Sequence, residues 1–599
     1  MGSSQSSQPF SPEQLSRYVS TEPIPPHDEF WKLFLQVDFS PLVGSNVETF
    51  FEKLNPACNT LLANNLKSGN VNSLINVFLL SIDKLVADCD NKTLIELCTE
   101  AHNSLFIVRC YIQYLEHKFS EKEIIKHLEC RGSLAPQKTE GQSDDSLYAE
   151  LIQKLISSVN LIPLNDLTCL LHYEIINALL VLLSLQLFTT ENCYELVTYK
   201  LVFDDKHASQ MCKTLLSRFI DQGKSLQSGK GSFILDLAAD LIQYFLPLPV
   251  QDPSLLARNS ILLCNVLVNN TVQPNVYREC IASISDNFDG LYQTICSELD
   301  QEETTLILYH LLHRNSLFRN YVLARKDIQN MVLPMLKTIY LAKDTSCRHM
   351  YMSLIILLIL TEDTEFNKKI HRVRVTAKWY YRSLPEEISL GGLIILVTAR
   401  TVQFNLLKTR DEYLHINCLA ALANMSSQFK NLHPYVCQRL VSLFGVLAKT
   451  YERANQELVI IERALRIILE VFNSCLANQM VHNVDLVYNL LYERQIFVPL
   501  RNNPAFEDIV KNLEEVLDYF NSKIDGENGP CDDVNDVLAI ICNASARWPS
   551  HKLQKFPELK FKYVEEEKPE NFFIPYVWSL VTTRANLYWN KSPFPAPNV

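Results

Sequence analysis

From Asp28 onward, apolar residues recur at three- and four-residue intervals in runs joined by short polar gaps, and β-branched alternation is scarce. That period puts side chains on one face of a helix, so the pattern predicts an all-α chain. Segments 62–86 and 151–171 are one-sided in this way. Segments 260–268 and 353–360 are apolar nearly all round and need cover on both sides. Alternation of sandwiched and one-sided helices is what stacked repeats produce. Degenerate repeats of about 40 residues, stacked roughly 9 Å apart, would build a rod or arc on the order of 100 Å long. The local pattern in 414–429, LHINCLAALANMSSQF, supports this: Ala420, Ala421 and Ala423 allow close helix approach, and Asn424 follows, much as in armadillo-type repeats. Residues 259–270 are a weaker echo.

The C-terminal run 556–581 departs from the helical period. Lys555 to Tyr563 alternates polar and apolar, and Pro557, Pro569 and Pro575 argue against a continuous helix. An extended strap pinned by Phe561, Tyr563, Phe572, Phe573 and Trp578 is expected. The predicted fold is therefore an extended α-solenoid of degenerate armadillo/HEAT-like helical repeats with a non-helical C-terminal strap. Polar, turn-rich stretches at 131–146, 221–232 and 525–536 read as loops. The expected division is a flexible segment over 1–27, helical repeats over 28–220, a loop and amphipathic helix over 221–258, further repeats over 259–550 and the strap over 551–599.

Composition agrees with helices. Fourteen glycines in 599 residues is about 2%, against roughly 7% in an average chain, which disfavours turn-rich sheet folds. Net charge is -12, the opposite of a nucleic-acid binder's footprint. Seventeen cysteines include no CxxC pair, and Cys110, Cys169, Cys264, Cys418 and Cys475 sit in apolar helical patterns, where a reduced thiol packs as a small hydrophobe. No basic-then-apolar leader opens the sequence, which places the expected protein on the cytosolic side of any membrane.

Motifs for chemistry are missing. Gly223 and Gly229 are six apart and Gly231 separates Lys230 from Ser232, so the spacing of a P-loop fails. No GxGxxG, GxSxG or HExxH occurs. His310 and His313 share a helix face without a third ligand beside them and read as ordinary helix residues. The reading is of a chain with no cofactor and no metal, against which an enzyme with an unrecognised site is the competing class. One dense basic patch joins Lys368, Lys369, His371, Arg372, Arg374, Lys378 and Arg382, with Trp379, Tyr380 and Tyr381 interleaved. Lys368, Lys369, Arg372 and Arg374 are candidates for an anionic headgroup, set against a solvated helix end in which Glu362, Asp363 and Glu365 precede the cations as the helix dipole favours.

Met1, Gly2 and Ser6 fit M-G-x-x-x-[ST], the N-myristoylation signal. One such chain binds membrane with a constant on the order of 10⁴ M⁻¹, so stable residence needs a second contact. The amphipathic stretch 233–246 could supply it, but Asp236 and Asp240 on its polar face favour packing within the protein instead.

Together the strap, the segment SLIILLILTEDTEFN at 353–367, HINCLAALANMSSQF at 415–429 and the Gly2 start closely resemble the dymeclin family, from the first residues to about Trp589. A related dauer-formation family of peripheral trafficking proteins is the next likeness. The resemblance implies a cytosolic, N-myristoylated protein in the cytoplasm and on the cytosolic face of the Golgi membrane. It would support Golgi organisation and secretory vesicle traffic through Golgi-associated protein partners, without nucleic acid and without enzymatic activity. Gly2 is the one functional position the resemblance carries over. A carrier gripping extended cargo peptides, as armadillo-type arrays do, is the alternative.

Overall fold

The computed structural model describes residues 12–36, 47–87, 91–134, 146–189, 192–221, 253–342, 347–380, 387–408, 410–453, 458–526, 533–549 and, apart from 555, 558 and 588, 554–589. Gly2, the stretch 233–246 and most of the expected loops lie outside these residues.

Helices dominate the described residues, and their ends follow local chemistry. Ser120 and Glu123 form a reciprocal capping box at the start of Glu121–Glu129. Asn275 caps Val276–Ser283 by accepting from the amides of Tyr277 and Arg278, and Asp411 caps Glu412–Ser426 by accepting from Leu414. Each such cap contributes about 1 kcal/mol by satisfying amides that the helix leaves open. Between Val47–Ser68 and Asn70–Val86 the chain turns at Gly69, whose φ is 70°. A Cβ there would stand 2.5 Å from the carbonyl carbon of Arg131, so both the backbone angle and the close approach require glycine.

The chain forms two compact units, one made of residues up to Thr294 together with Glu567 onward, the other of Ile295–Glu566. These limits fall at none of the polar gaps that the sequence pattern marked, and the segment 551–599 is divided between the units.

In the first unit, α1 (Asn70–Val86), α2 (Asn91–Glu116), α4 (Cys169–Ser184) and α6 (Pro253–Val268) pack in succession, each on the one before. Behind them α3 (Leu147–Leu161) touches α1, α4 and α5 (Asp205–Asp221), and α5 lies on α6. The C-terminal helix Glu570–Arg584 returns to pack on α6. Here the expectation of a wholly non-helical strap is corrected. Pro569 occupies the N-cap, where its missing N–H costs nothing, and Pro575 withholds one bond from the carbonyl of exposed Asn571. Burial of Phe573, Tyr576, Val577, Trp578, Leu580 and Val581 outweighs that loss. Phe573 and Trp578 are thus core residues of this helix, not pins of an extended segment.

The second unit holds two rows of helices. One row runs α7 (Glu302–Arg314), α9 (Arg348–Thr361), α11 (Glu412–Ser426), α13 (Leu458–Gln479), α15 (Glu507–Gly526). The other runs α8 (Gln329–Leu341), α10 (Leu390–Lys408), α12 (Pro434–Arg453), α14 (Val484–Tyr492), α16 (Val534–Ser545). Each helix packs on its predecessor within a row, and α8, α10 and α12 also pack on α9, α11 and α13. A helix inside such an array is covered from several sides, which is why 353–360 within α9 is apolar all round and buried throughout. The only strands among the described residues are Arg374–Val375 and Ile388–Ser389, a two-residue antiparallel pair.

Residues 169–187 and Leu390–Lys408 are long and apolar enough to cross a membrane, yet 83% and 72% of their apolar windows are buried in helical packing, as for core helices. The described cysteines are free thiols; burial pushes Cys110 up to about 12, leaving it a packing residue.

Candidate functional site

The described residues of 554–566 cross one row of the second unit in extended form. The Asn512 side chain of α15 accepts from the Gln554 amide at 2.8 Å and donates to the Gln554 carbonyl at 3.1 Å. Phe556 meets the guanidinium of Arg466 on α13, 6.0 Å from the ring centre. On α11, Asn424 repeats the first arrangement, accepting from the Phe561 amide at 2.8 Å and donating to its carbonyl at 2.9 Å. Glu362, at the end of α9, accepts from the Tyr563 amide at 2.9 Å, and Arg314 of α7 donates to both oxygens of Glu565 at 2.8 Å. The strap therefore meets the row in the order α15, α13, α11, α9, α7, opposite to the order of the chain.

Burial along the strap has a period of two. Leu559, Phe561, Tyr563 and Glu565 are half-buried, while Lys560, Lys562, Val564 and Glu566 are exposed. The alternation read from sequence over 555–563 is the alternation of an extended segment with one face on the helices. At its α7 end, Tyr563 stands edge-on to Tyr309 and His313, at 5.8 and 5.3 Å between ring centres, and the Tyr309 hydroxyl donates to Glu565 at 2.9 Å. Burial, then the neighbouring Tyr563, pushes the Tyr309 hydroxyl far up, so it acts as a hydrogen-bond donor and not as a base. His310 and His313, the one histidine pair singled out above, are thus a buried ring and an aromatic neighbour of the strap. Among the described residues no three His, Cys, Asp or Glu side chains converge as metal ligands do.

The basic patch divides. Asp363 caps Thr364–Ile370 and Glu365 lies in its first turn with Lys368 and Lys369 in its last. Lys368 holds Glu365 at 2.7 Å, and the Lys369 ammonium donates to the carbonyls of Leu323 and Arg325. Arg372 and Arg374 are exposed, and Tyr380 is buried against Tyr340. The four headgroup candidates are therefore not gathered as one free cationic set.

His371 is 6% exposed, and neither ring nitrogen has a hydrogen-bond partner among the described residues. Its ring stands edge-on to Phe429 at 5.5 Å and fills the space that a Cβ on Gly391 would need. Burial pushes the imidazole from 6.5 down to about 4. The unfolded chain binds the proton first as pH falls, so stability is intact above pH 6.5 and lost progressively toward pH 4, in total about 3 kcal/mol. Urea unfolding of the second unit in His371→Leu should lose roughly 2 kcal/mol less than wild type between pH 7.5 and 4.5. Identical losses would show that His371 does not titrate as a buried, unpartnered group.

Three buried polar clusters lie in the first unit. The guanidinium of Arg109 on α2 is paired with Glu174 on α4, with side chains 6% and 3% exposed, and it also donates to Gln113. Arg218 on α5 donates to the Val159 carbonyl at 2.9 Å and to His172 Nδ1 at 2.7 Å, while His172 Nε2 meets the Ile162 carbonyl at 3.1 Å. Burial pushes Arg218 down to about 10 and, with the guanidinium beside it, His172 down to about 3, so this imidazole is neutral and accepts from the cation. Glu116 accepts from the Ser184 hydroxyl at 2.8 Å, and Trp589 Nε1 donates to that hydroxyl at 3.3 Å. Burial pushes the Glu116 carboxyl well above the usual carboxylate range. Each cluster ties helices together, whereas catalysis requires such groups around an accessible cavity. A cavity of about 30 Å³ beside Tyr18, Cys58, Cys110 and Tyr111 has room for about one water.

Over residues 1–580 the sequence matches the family described as Dymeclin: Dyggve-Melchior-Clausen syndrome protein. It is 38% identical to the dymeclin of Xenopus laevis over 649 aligned residues, which cover 96% of each chain. Identity to the dymeclin of Drosophila melanogaster is 35% over 666 aligned residues, 95% of each. Similarity to protein HID1 of Homo sapiens extends over 215 aligned residues at 25% identity, 34% of this chain and 26% of that protein. The chain belongs to the dymeclin family.

Proposed function

We propose that the chain is a non-enzymatic scaffold, an α-solenoid of armadillo/HEAT-like repeats, held at the cytosolic face of the Golgi membrane by an N-myristoyl group on Gly2. It would support Golgi organisation and secretory vesicle traffic by docking Golgi-associated proteins. The observation that carries the reading is the pair of helix rows in the second unit, since stacked helices expose a long continuous face for protein docking. Family membership supports it, dymeclins not being known as enzymes, as does the lipidation pattern at Gly2.

A single myristoyl group gives marginal, reversible attachment, so the tether sets residence time and the docking surface sets location. Gly2→Ala should move most of the protein from the membrane fraction to the soluble fraction with an unchanged melting temperature. Unaltered fractionation would remove the tether from the reading. The alternative, a carrier gripping extended peptides, is favoured by the two asparagine side chains that clamp the strap backbone.

A further inference from the structure

The groups that hold residues 554–566 fall into two kinds. Asn424 and Asn512 each engage one residue's amide and carbonyl together, so they read an extended backbone without regard to its side chains. Asparagines clamp backbone elsewhere in this chain too: Asn405 holds the amide and carbonyl of Asp411, six residues away at a helix start. Asn424 and Asn512 differ in reaching 137 and 42 residues along the chain to one continuous segment. Selectivity comes from the α7 end, where Tyr309 and His313 receive an aromatic ring and Arg314 receives a carboxylate two residues later. The occupant is lightly held, because none of the described strap residues is buried. A surface with backbone clamps at intervals, an aromatic seat and a cationic end is built to hold an extended peptide, and a half-exposed segment can be replaced there by another of the same chemistry.

We propose that the α7-to-α15 row is a peptide-binding groove which the chain fills with its own residues 554–566 as a built-in competitor. The partner it takes is an extended segment of another protein with apolar or aromatic residues at alternate positions and a carboxylate two residues beyond the last aromatic. This deepens the alternative reading, a carrier of extended peptides, by naming what the surface binds, and its test requires no membrane, so it stands or falls separately from the Gly2 tether.

The experiment uses the full-length protein and a fluorescein-labelled peptide with the sequence of residues 554–566, followed by anisotropy. Tyr563→Ala/Glu565→Ala, which weakens the internal competitor, should bind the peptide at least tenfold more tightly than wild type. Adding Asn424→Ala should lower that affinity about tenfold. In a separate arm, Arg314→Glu in the strap-weakened protein should prefer a peptide with lysine in place of the glutamate at 565, an inversion that a merely misfolded variant cannot produce. Equal affinity of wild type and strap-weakened protein, equal binding of a scrambled peptide, or no inversion with Arg314→Glu would overturn the proposal.

Discussion

Full-length Trp578→Ala is expected to unfold with a loss of about 3 to 5 kcal/mol in the first unit, the usual cost of truncating a buried aromatic. Trp578 is 1% exposed at the middle of the C-terminal helix, which packs on α6, and its ring stands edge-on to Trp589 at 6.5 Å. The same helix end is fixed by Asn259, whose amide donates to Asn177 at 2.7 Å and to the Ala585 carbonyl at 3.3 Å. An alanine would therefore leave a hole among groups that cannot easily close over it. Urea unfolding followed by tryptophan-independent circular dichroism is the measurement. A variant as stable as wild type would mean that the ring is not a packing anchor and would return Trp578 to the candidate contact surface.

Glu174→Ala should cost a similar amount by a different route. Arg109 and Glu174 are enclosed together, with Phe106 against the guanidinium at 5.0 Å. Burial by itself pulls the guanidinium pKa down, and the charge of Glu174 more than offsets it. Removing the carboxylate leaves a buried cation without its partner, a change that typically costs 3 to about 5 kcal/mol. The double variant Arg109→Met/Glu174→Leu, which removes both charges at similar volume, should recover most of the loss, because desolvation of the pair largely cancels its attraction. If the double variant is as unstable as the single, the pair contributes net attraction rather than mutual neutralisation.

The helical class and the buried runs were legible because burial imposes its period on the sequence: α9 had to be apolar all round to be covered by its neighbours. The strap was legible over 555–563, where a two-residue period survives in an otherwise helical chain. It was misjudged beyond Lys568 because proline rules are local, whereas the helix is stabilised by α6, far away in sequence. Asn424 stood out beside its small alanines. Asn512 did not, since in the run KNLEEV it resembles any polar position of an amphipathic helix. His371 was grouped with Arg372 and Arg374 by adjacency, yet one residue of rotation around the chain separates a buried ring from a solvated guanidinium. Pairing of Arg109 with Glu174 joins positions 65 apart, beyond what periodicity can encode.

The first unit is closed by residues that the ribosome makes only after the whole of the second, since Glu567 onward rejoins helices begun before Thr294. During synthesis the second unit can finish while the earlier-made one still waits, its α6 surface uncovered. A premature stop just ahead of the C-terminal helix would thus injure the opening half of the polypeptide and spare the portion nearest the lesion.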